Sequence, residues 1–476
     1  MALQSSNAPA PLVVSSASVM RRIPIEIIEA IGHFLDGPTA YSAIQVCHQW
    51  IIGFTTRKKL RNRPTIFPLL RSKTTSGLLS ILQCCTHLTS LLIHKRRARL
   101  SDLKLLDDLL QLQSLRRLEL NIHGDCDLAL KAIEEMFPLF EQLDELVLAG
   151  SAFSIREYDS EDEDASTTTE LETPRPWKLS RLSISPAAMM LLRHCPDLKT
   201  LELRQLDTWQ EYESETYQSI RPIMVCTKLA ELDLYLSNEQ RDQSDVIETL
   251  SSFNQLRSLI FNPQSIEQIS FLNTRLSNGG DGNDNSNGDL VLPLLEHLQL
   301  HPDCTQNDSF GINNALRDIF KTRPRLKSFA LYKYPIYAAD IFAKRGMEDQ
   351  DGWACLDLER FYIHALILQE ESPSTMIYRQ LGLLSRLKHV SITCTEIKHG
   401  ANSGIDLLVG ASGLESLMLM DIRNPSWTKE EVFRVLQMFP KLSQLHVEPD
   451  SKATVLACAK ELGRDISIGP GMGSFN

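Results

Sequence analysis

A chain of 476 residues is too long for one compact core, so several domains or an elongated array are expected. A hydrophobic share of 43% and a charged share of 23% exclude a wholly disordered chain. The balance of 49 basic against 60 acidic residues, net −11, excludes nucleic acid as the main partner, since Lys and Arg cluster only in the short runs 57–63 and 95–99. Apart from the adjacent Cys84 and Cys85, the ten cysteines are scattered singly, with no pair at the two-residue separation that zinc and redox sites use. Reduced, buried thiols and no cofactor are therefore expected. The first twenty residues hold neither a charged n-region nor a sustained apolar run, and no stretch reaches the roughly 18 apolar residues that span a bilayer. The expected location is the cytoplasm or nucleus, with no membrane partner.

Residues 1–20 form a Ser/Ala/Pro arm that reads as disordered. At Ile23-Pro24-Ile25-Glu26 a helix is predicted to begin, with proline well placed in its first turn. Ile27, Ile31 and Leu35 recur every four residues on one face, and Asp36-Gly37-Pro38 stops the helix. A second helix is predicted from near Thr39, carrying Val46, Cys47 and Trp50 toward its end. A module of this size, 21–63, cannot bury all its apolar side chains and leaves some for a partner. Ile23-Pro24, Glu26, Ile27, Ile31, Leu35-Asp36, Val46-Cys47 and Trp50 together resemble the F-box, at the right separations. The departures are Ile23 in place of the common leucine, Ala40 in place of another, and His48-Gln49 where a basic residue usually precedes the tryptophan. The resemblance implies docking to the adaptor subunit of an SCF-type cullin-RING ubiquitin ligase, and through it to the cullin and RING subunits. Ile23, Pro24, Ile27, Ile31 and Leu35 would lie at that interface, and Val46, Cys47 and Trp50 would hold the core of the F-box.

From Leu88 onward one pattern recurs thirteen times: an apolar residue, two others, an apolar residue, one other, an apolar residue. Examples are Leu115/Leu118/Leu120, Leu229/Leu232/Leu234, Leu326/Phe329/Leu331 and Leu442/Leu445/Val447. The 354 residues from Leu88 to Leu442 give about 29.5 per repeat, at the upper edge of the leucine-rich range of about 20 to 29. The last two apolar residues of each copy are two apart, so on a strand they face one core. Helical spacing lies between copies, as in Val432, Val435, Leu436 and Phe439. No such unit buries its own apolar face, and stacking supplies the missing surface. Residues 64–465 thus resemble a leucine-rich-repeat solenoid. The implied fold is α/β: a horseshoe with a parallel sheet on its concave face and helices outside, preceded by the small all-α F-box-like module. The family's usual Asn or Cys, eight residues after the first leucine, is replaced here by residues such as His123, Asp303 and Tyr334. Segments 157–176 and 276–290, rich in carboxylates and in Asn, Gly, Asp and Ser respectively, read as disordered insertions, and 466–476 as a tail.

Residues alternating with the core positions point to the concave face. From the eighth copy onward they include His297, His301, Tyr332, Arg360, Tyr362, His364, His389, Met418, Met420 and His446, while Glu231 and Asp233 make the middle copies acidic. Aromatic, Met and Arg side chains favour binding surfaces, so this set is the candidate face for a protein substrate. A shared metal is not expected: His364 and His389 sit on neighbouring strands four positions apart in register, roughly 13 Å at about 3.3 Å per residue. No nucleophile elbow, phosphate-cradling loop or His-Glu-x-x-His occurs. The expected role is therefore that of a non-catalytic substrate receptor. The alternative is a leucine-rich-repeat scaffold or inhibitor whose N-terminal helices only cap the solenoid.

Overall fold

The computed structural model describes residues 65–66, 90–95, 113–122, 137–149, 176–203, 219–235, 243–274, 290–302, 309–332, 336–342, 353–367, 374–394, 404–421, 427–447 and 449–468. The F-box-like residues Ile23 to Trp50 and most of the two insertions lie outside this set. The chain divides into two units, Met1–Ala188 and Met189–Asn476.

In the first unit, strands β1 (Thr65–Ile66), β2 (Ser90–Lys95), β3 (Arg117–Ile122), β4 (Glu145–Ala149) and β5 (Arg181–Ile184) pair in chain order, all parallel. Strict alternation of buried and half-exposed residues on β4 follows from its Leu146/Leu148 pair. The short helix α1 (Phe137–Phe140) sets Phe137 and Phe140 edge-on to Trp177, with centroids 5.1 and 5.2 Å apart. On the opposite face Glu145 sits between Arg117 and Arg181, at 3.2 and 3.5 Å, which ties three adjacent strands together.

The second unit repeats this plan through β6 (Thr200–Leu203), β7 (Glu231–Leu234), β8 (Ser258–Phe261), β9 (His297–Leu300) and β10 (Ser328–Leu331). The two-residue β11 (Ile336–Tyr337) pairs only with the far end of the long β12 (Arg360–Ile367). The row then continues with β13 (His389–Cys394), β14 (Ser416–Asp421) and β15 (Gln444–His446). Each ladder from β6 to β15 is parallel, and the middle and last apolar residues of neighbouring copies pair directly, Leu298 with Phe329 and Phe329 with Phe361. Parallel strands joined in chain order by helical connections, with all core residues on one face, make an α/β solenoid of the leucine-rich-repeat type.

The helices are α2 (Gln243–Ser251), α3 (Ile266–Phe271), α4 (Ser309–Thr322), α5 (Ala338–Phe342), α6 (Ser374–Gly382), α7 (Lys429–Met438) and α8 (Lys452–Glu461). They cover the apolar face of the sheet: Phe320 of α4 meets Phe329 of β10 edge-on at 4.8 Å and stacks on Trp353 at 4.2 Å. On α7 the predicted stripe Val432, Val435 and Leu436 is buried, and Thr428 with Glu431 forms a reciprocal capping box. The connections are not all α-helical, as the spacing had implied. Pro186–His194, Arg221–Val225 and Ile405–Gly410 are 310 helices. A 310 helix rises about 2.0 Å per residue against about 1.5 Å for an α-helix, so a short connection such as 185–199 still spans the strand length. At Ile405–Gly410 the tighter coil lies directly on α6, backbone to backbone. A Cβ on Gly382 would stand 1.9 Å from the Leu407 carbonyl oxygen, and one on Gly410 would stand 2.0 Å from that of Gly382.

The most regular feature among the described residues lies just before nine of the strands. The backbone N–H of the first apolar residue donates to the carbonyl three residues earlier, at 3.0–3.2 Å: Leu143 to Phe140, Leu198 to Cys195, Leu229 to Cys226, Leu295 to Leu292, Leu326 to Arg323, Leu358 to Cys355, Leu387 to Leu384, Leu414 to Ala411 and Leu442 to Phe439. The accepting residues are buried, and those of the second unit form a column, so the apparently scattered Cys195, Cys226 and Cys355 occupy one structural position. Burial raises all three thiols, Cys226 and Cys355 to about 12, with Cys226 adding to the rise at Cys195. Arg323 is the one charged member among these nine. It is 3% exposed, its Nη1 donates to the Leu292 carbonyl at 2.7 Å, and its Nε and Nη2 have no hydrogen-bond partner. Leu292, its counterpart one repeat earlier, has a left-handed φ of 52°.

The last strand is paired with a short following segment at Ser467. The Ser467 N–H donates to the Ser443 carbonyl and the Leu445 N–H to the Ser467 carbonyl, at 2.8 and 3.2 Å, with Ile466 buried. Pairing therefore continues slightly past residue 465, where the sequence had placed the end of the array. Arg464 donates to the Leu436, Pro440 and Leu442 carbonyls, satisfying the C-terminal end of α7 and the turn that follows it.

Candidate functional site

The strand register arranges the outward residues of the second unit in rows. The first row runs Thr200, Glu231, Ser258, His297, Ser328, Arg360, His389, Ser416, Gln444. Three predicted residues, His297, Arg360 and His389, are thus brought level. The second row, two residues along each strand, runs Glu202, Asp233, Ile260, Gln299, Ala330, Tyr362, Ser391, Met418, His446. Beyond it, one residue past the last core position, stand Tyr235, Asn262, His301 and Tyr332, each held by a backbone hydrogen bond to the preceding strand. Tyr332 lies flat on His301, with centroids 4.8 Å apart at 8°, and Tyr235 meets the same imidazole tilted at 55°, with centroids 5.5 Å apart. Gln299 reaches the His301 Nε2 at 2.7 Å. His364 lies beyond Ile363, where the pairing of β12 with β13 shifts register.

This face is polarised. Its β6–β7 end carries Glu202, Glu231 and Asp233, while the basic residue at its other end is Arg360. Burial lowers the pKa of His297, with smaller contributions from Lys327 and Arg360 opposing the pull of Glu296. It lowers His389 as well, assisted by Arg360, and His364 by itself. The three imidazoles are therefore neutral near pH 7, as hydrogen-bonding rather than cationic groups. Burial raises the phenols of Tyr332 and Tyr362, which stay protonated and able to donate.

Met418 and His446 do not fit the predicted surface. They are 2% and 7% exposed, and Ser391 and Ser416 beside them are buried too. Met418 and His446 therefore offer little surface to a partner. The accessible face lies on β6–β12. Tyr235 lies outside the predicted aromatic set, which begins at the eighth copy. The signal was present: Tyr235, His301 and Tyr332 each follow the last apolar residue of a copy. Among the described residues no cluster of three or more His, Cys, Asp or Glu could hold a metal ion, and no helix is long and apolar enough to cross a membrane.

No family profile and no curated protein matches the chain. Among solved structures it is similar to an internalin, InlF of Listeria monocytogenes, at 14% identity and TM-score 0.43, covering 84% of this chain and 94% of that one. It is also similar to the yeast complex of Rad7 and Elc1, at 14% identity and TM-score 0.39, covering 91% and 90%. The architecture rests on the register of the strands, which by itself makes the chain a solenoid of the leucine-rich-repeat type.

Proposed function

We propose that this chain is a non-catalytic receptor whose second unit captures a partner protein on the open β6–β12 face, and whose residues 21–63 dock the adaptor of an SCF-type ubiquitin ligase. The observation that carries the capture role is the polarised face itself. Carboxylates at one end, Arg360 at the other and a Tyr235/His301/Tyr332 cluster between them supply the aromatic and Arg anchors that dominate protein interfaces. The adaptor role is supported by the F-box resemblance of Ile23, Pro24, Ile27, Ile31 and Leu35. Ubiquitin transfer then belongs to other subunits.

The test is co-purification of the full chain with the adaptor subunit, comparing wild type with a Pro24→Ala/Ile27→Asp variant whose folding is checked by circular dichroism. Loss of the adaptor from a folded variant supports the receptor reading. A wild-type chain that retains no adaptor overturns it and leaves a repeat scaffold with a helical cap.

A further inference from the structure

Two opposite charges stand level on one row of the second unit. Glu231 pairs with Ser258, Ser258 with His297, His297 with Ser328, and Ser328 with Arg360. Four strand spacings of about 4.8 Å set them roughly 19 Å apart. Both are exposed. Glu231 accepts a hydrogen bond from Thr200 Oγ1 at 3.2 Å, but among the described residues neither Glu231 nor Arg360 has an ion-pair partner. The nearby edge charges are committed to one another: Glu296 to Arg257 and Lys327, and Glu359 to Lys388. Between the two ends the face carries Ile260, Gln299 and Ala330 in its second row, with no charge to interrupt it.

We propose that this face selects an extended segment of a partner protein lying across the strands, with a basic side chain at Glu231 and a carboxylate at Arg360, five or six residues apart. The offset follows from the distance, because an extended chain advances about 3.4 Å per residue. Apolar side chains between the two charges meet the half-buried Ile260. This inference rests on the reading of the sheet as the capture face and adds what that face selects.

The experiment uses the full chain and labelled twelve-residue peptides of Gly, Ser and Leu, each with one Lys and one Glu at offsets from two to nine. Binding is read by fluorescence anisotropy at low salt. The expected result is tightest binding at offsets five and six, weakened roughly three- to tenfold by Arg360→Gln or Glu231→Gln. Arg360→Glu should shift the preference to peptides with two Lys at the same offset, a gain that misfolding cannot produce. Offset-independent binding, or binding at no offset, overturns the proposal. Binding lost in Tyr332→Ala but unchanged in Arg360→Gln overturns the charge spacing while leaving the capture face in place. Indifference to all these substitutions removes both.

Discussion

Gly382→Ala should be among the most damaging single-methyl additions in the second unit. The new Cβ would lie 1.9 Å from the Leu407 carbonyl oxygen, 1.5 Å short of an ordinary 3.4 Å contact, and the obstacle is backbone on both sides. Relief requires α6 and the Ile405–Gly410 helix to separate, which loosens the buried Leu381, Ile405 and Leu408. Overpacking of this kind costs about 2–3 kcal/mol. For a unit of this size that corresponds to a fall in Tm of roughly 3–5 °C. Gly413→Ala is the matched control, since its Cβ would meet only the Leu387 and Ser385 carbonyl oxygens at 3.7 and 3.8 Å. Gly463→Ala separates crowding from conformation: it meets nothing within 4 Å, but its φ of 66° should cost about 1 kcal/mol. Differential scanning calorimetry of the full chain, with hydrogen exchange of the amides in 375–382 and 405–410, reads the three variants. A Gly382→Ala chain that melts with Gly413→Ala would refute the close backbone approach.

Arg323→Leu removes a buried guanidinium that makes one hydrogen bond and restores the apolar column; the Leu292 carbonyl keeps the Leu295 N–H. Burial has already lowered the Arg323 pKa to about 10, and the substitution should be neutral or stabilising by ~1 kcal/mol in urea unfolding. A loss above that range would mean that Arg323 has a partner it needs. The thiol column predicts alkaline lability. Cys226 and Cys355 are raised in the folded chain from an ordinary 9.0 to about 12, so their neutral forms support folding below pH 9 and that support declines as pH rises toward 12. Cys195, Cys226 and Cys355 should resist alkylation at pH 8 in the folded chain and react in urea. Rapid native modification at any of the three would contradict their burial.

The strands were readable because each rests on a local rule. Three apolar residues at fixed spacing select one face, and stacking gives that face its only route out of water, so Leu118, Leu232 and Leu417 are all buried where the pattern placed them. The turn that orders the array was less visible. Its acceptor is Phe140, Cys195, Leu292, Arg323 or Ala411, and because the backbone carbonyl makes the bond, the side chain varies freely. The 310 connections were equally hidden, since apolar spacing says little about pitch over five to nine residues. At the candidate site, alternation put His297, Arg360 and His389 on the outward face, but levelness is a property of register. Only pairing shows that Glu231 shares a row with Arg360, or that Met418 and His446 are enclosed by their neighbours.

The residues just before the strands carry a further consequence. Arg257, Glu296, Lys327, Glu359, Lys388 and Glu415 occupy equivalent places in successive rungs and alternate in sign, and five of the six are joined in the pairs 257–296, 296–327 and 359–388. Exposed pairs of this kind add little to stability. Their alternation instead acts as a parity code on the order of strands. A rung displaced by one place, or a strand borrowed from another copy of the chain one repeat out of step, would set lysine beside lysine and glutamate beside glutamate. Among these six rungs the penalty falls on odd displacements and leaves even ones untouched.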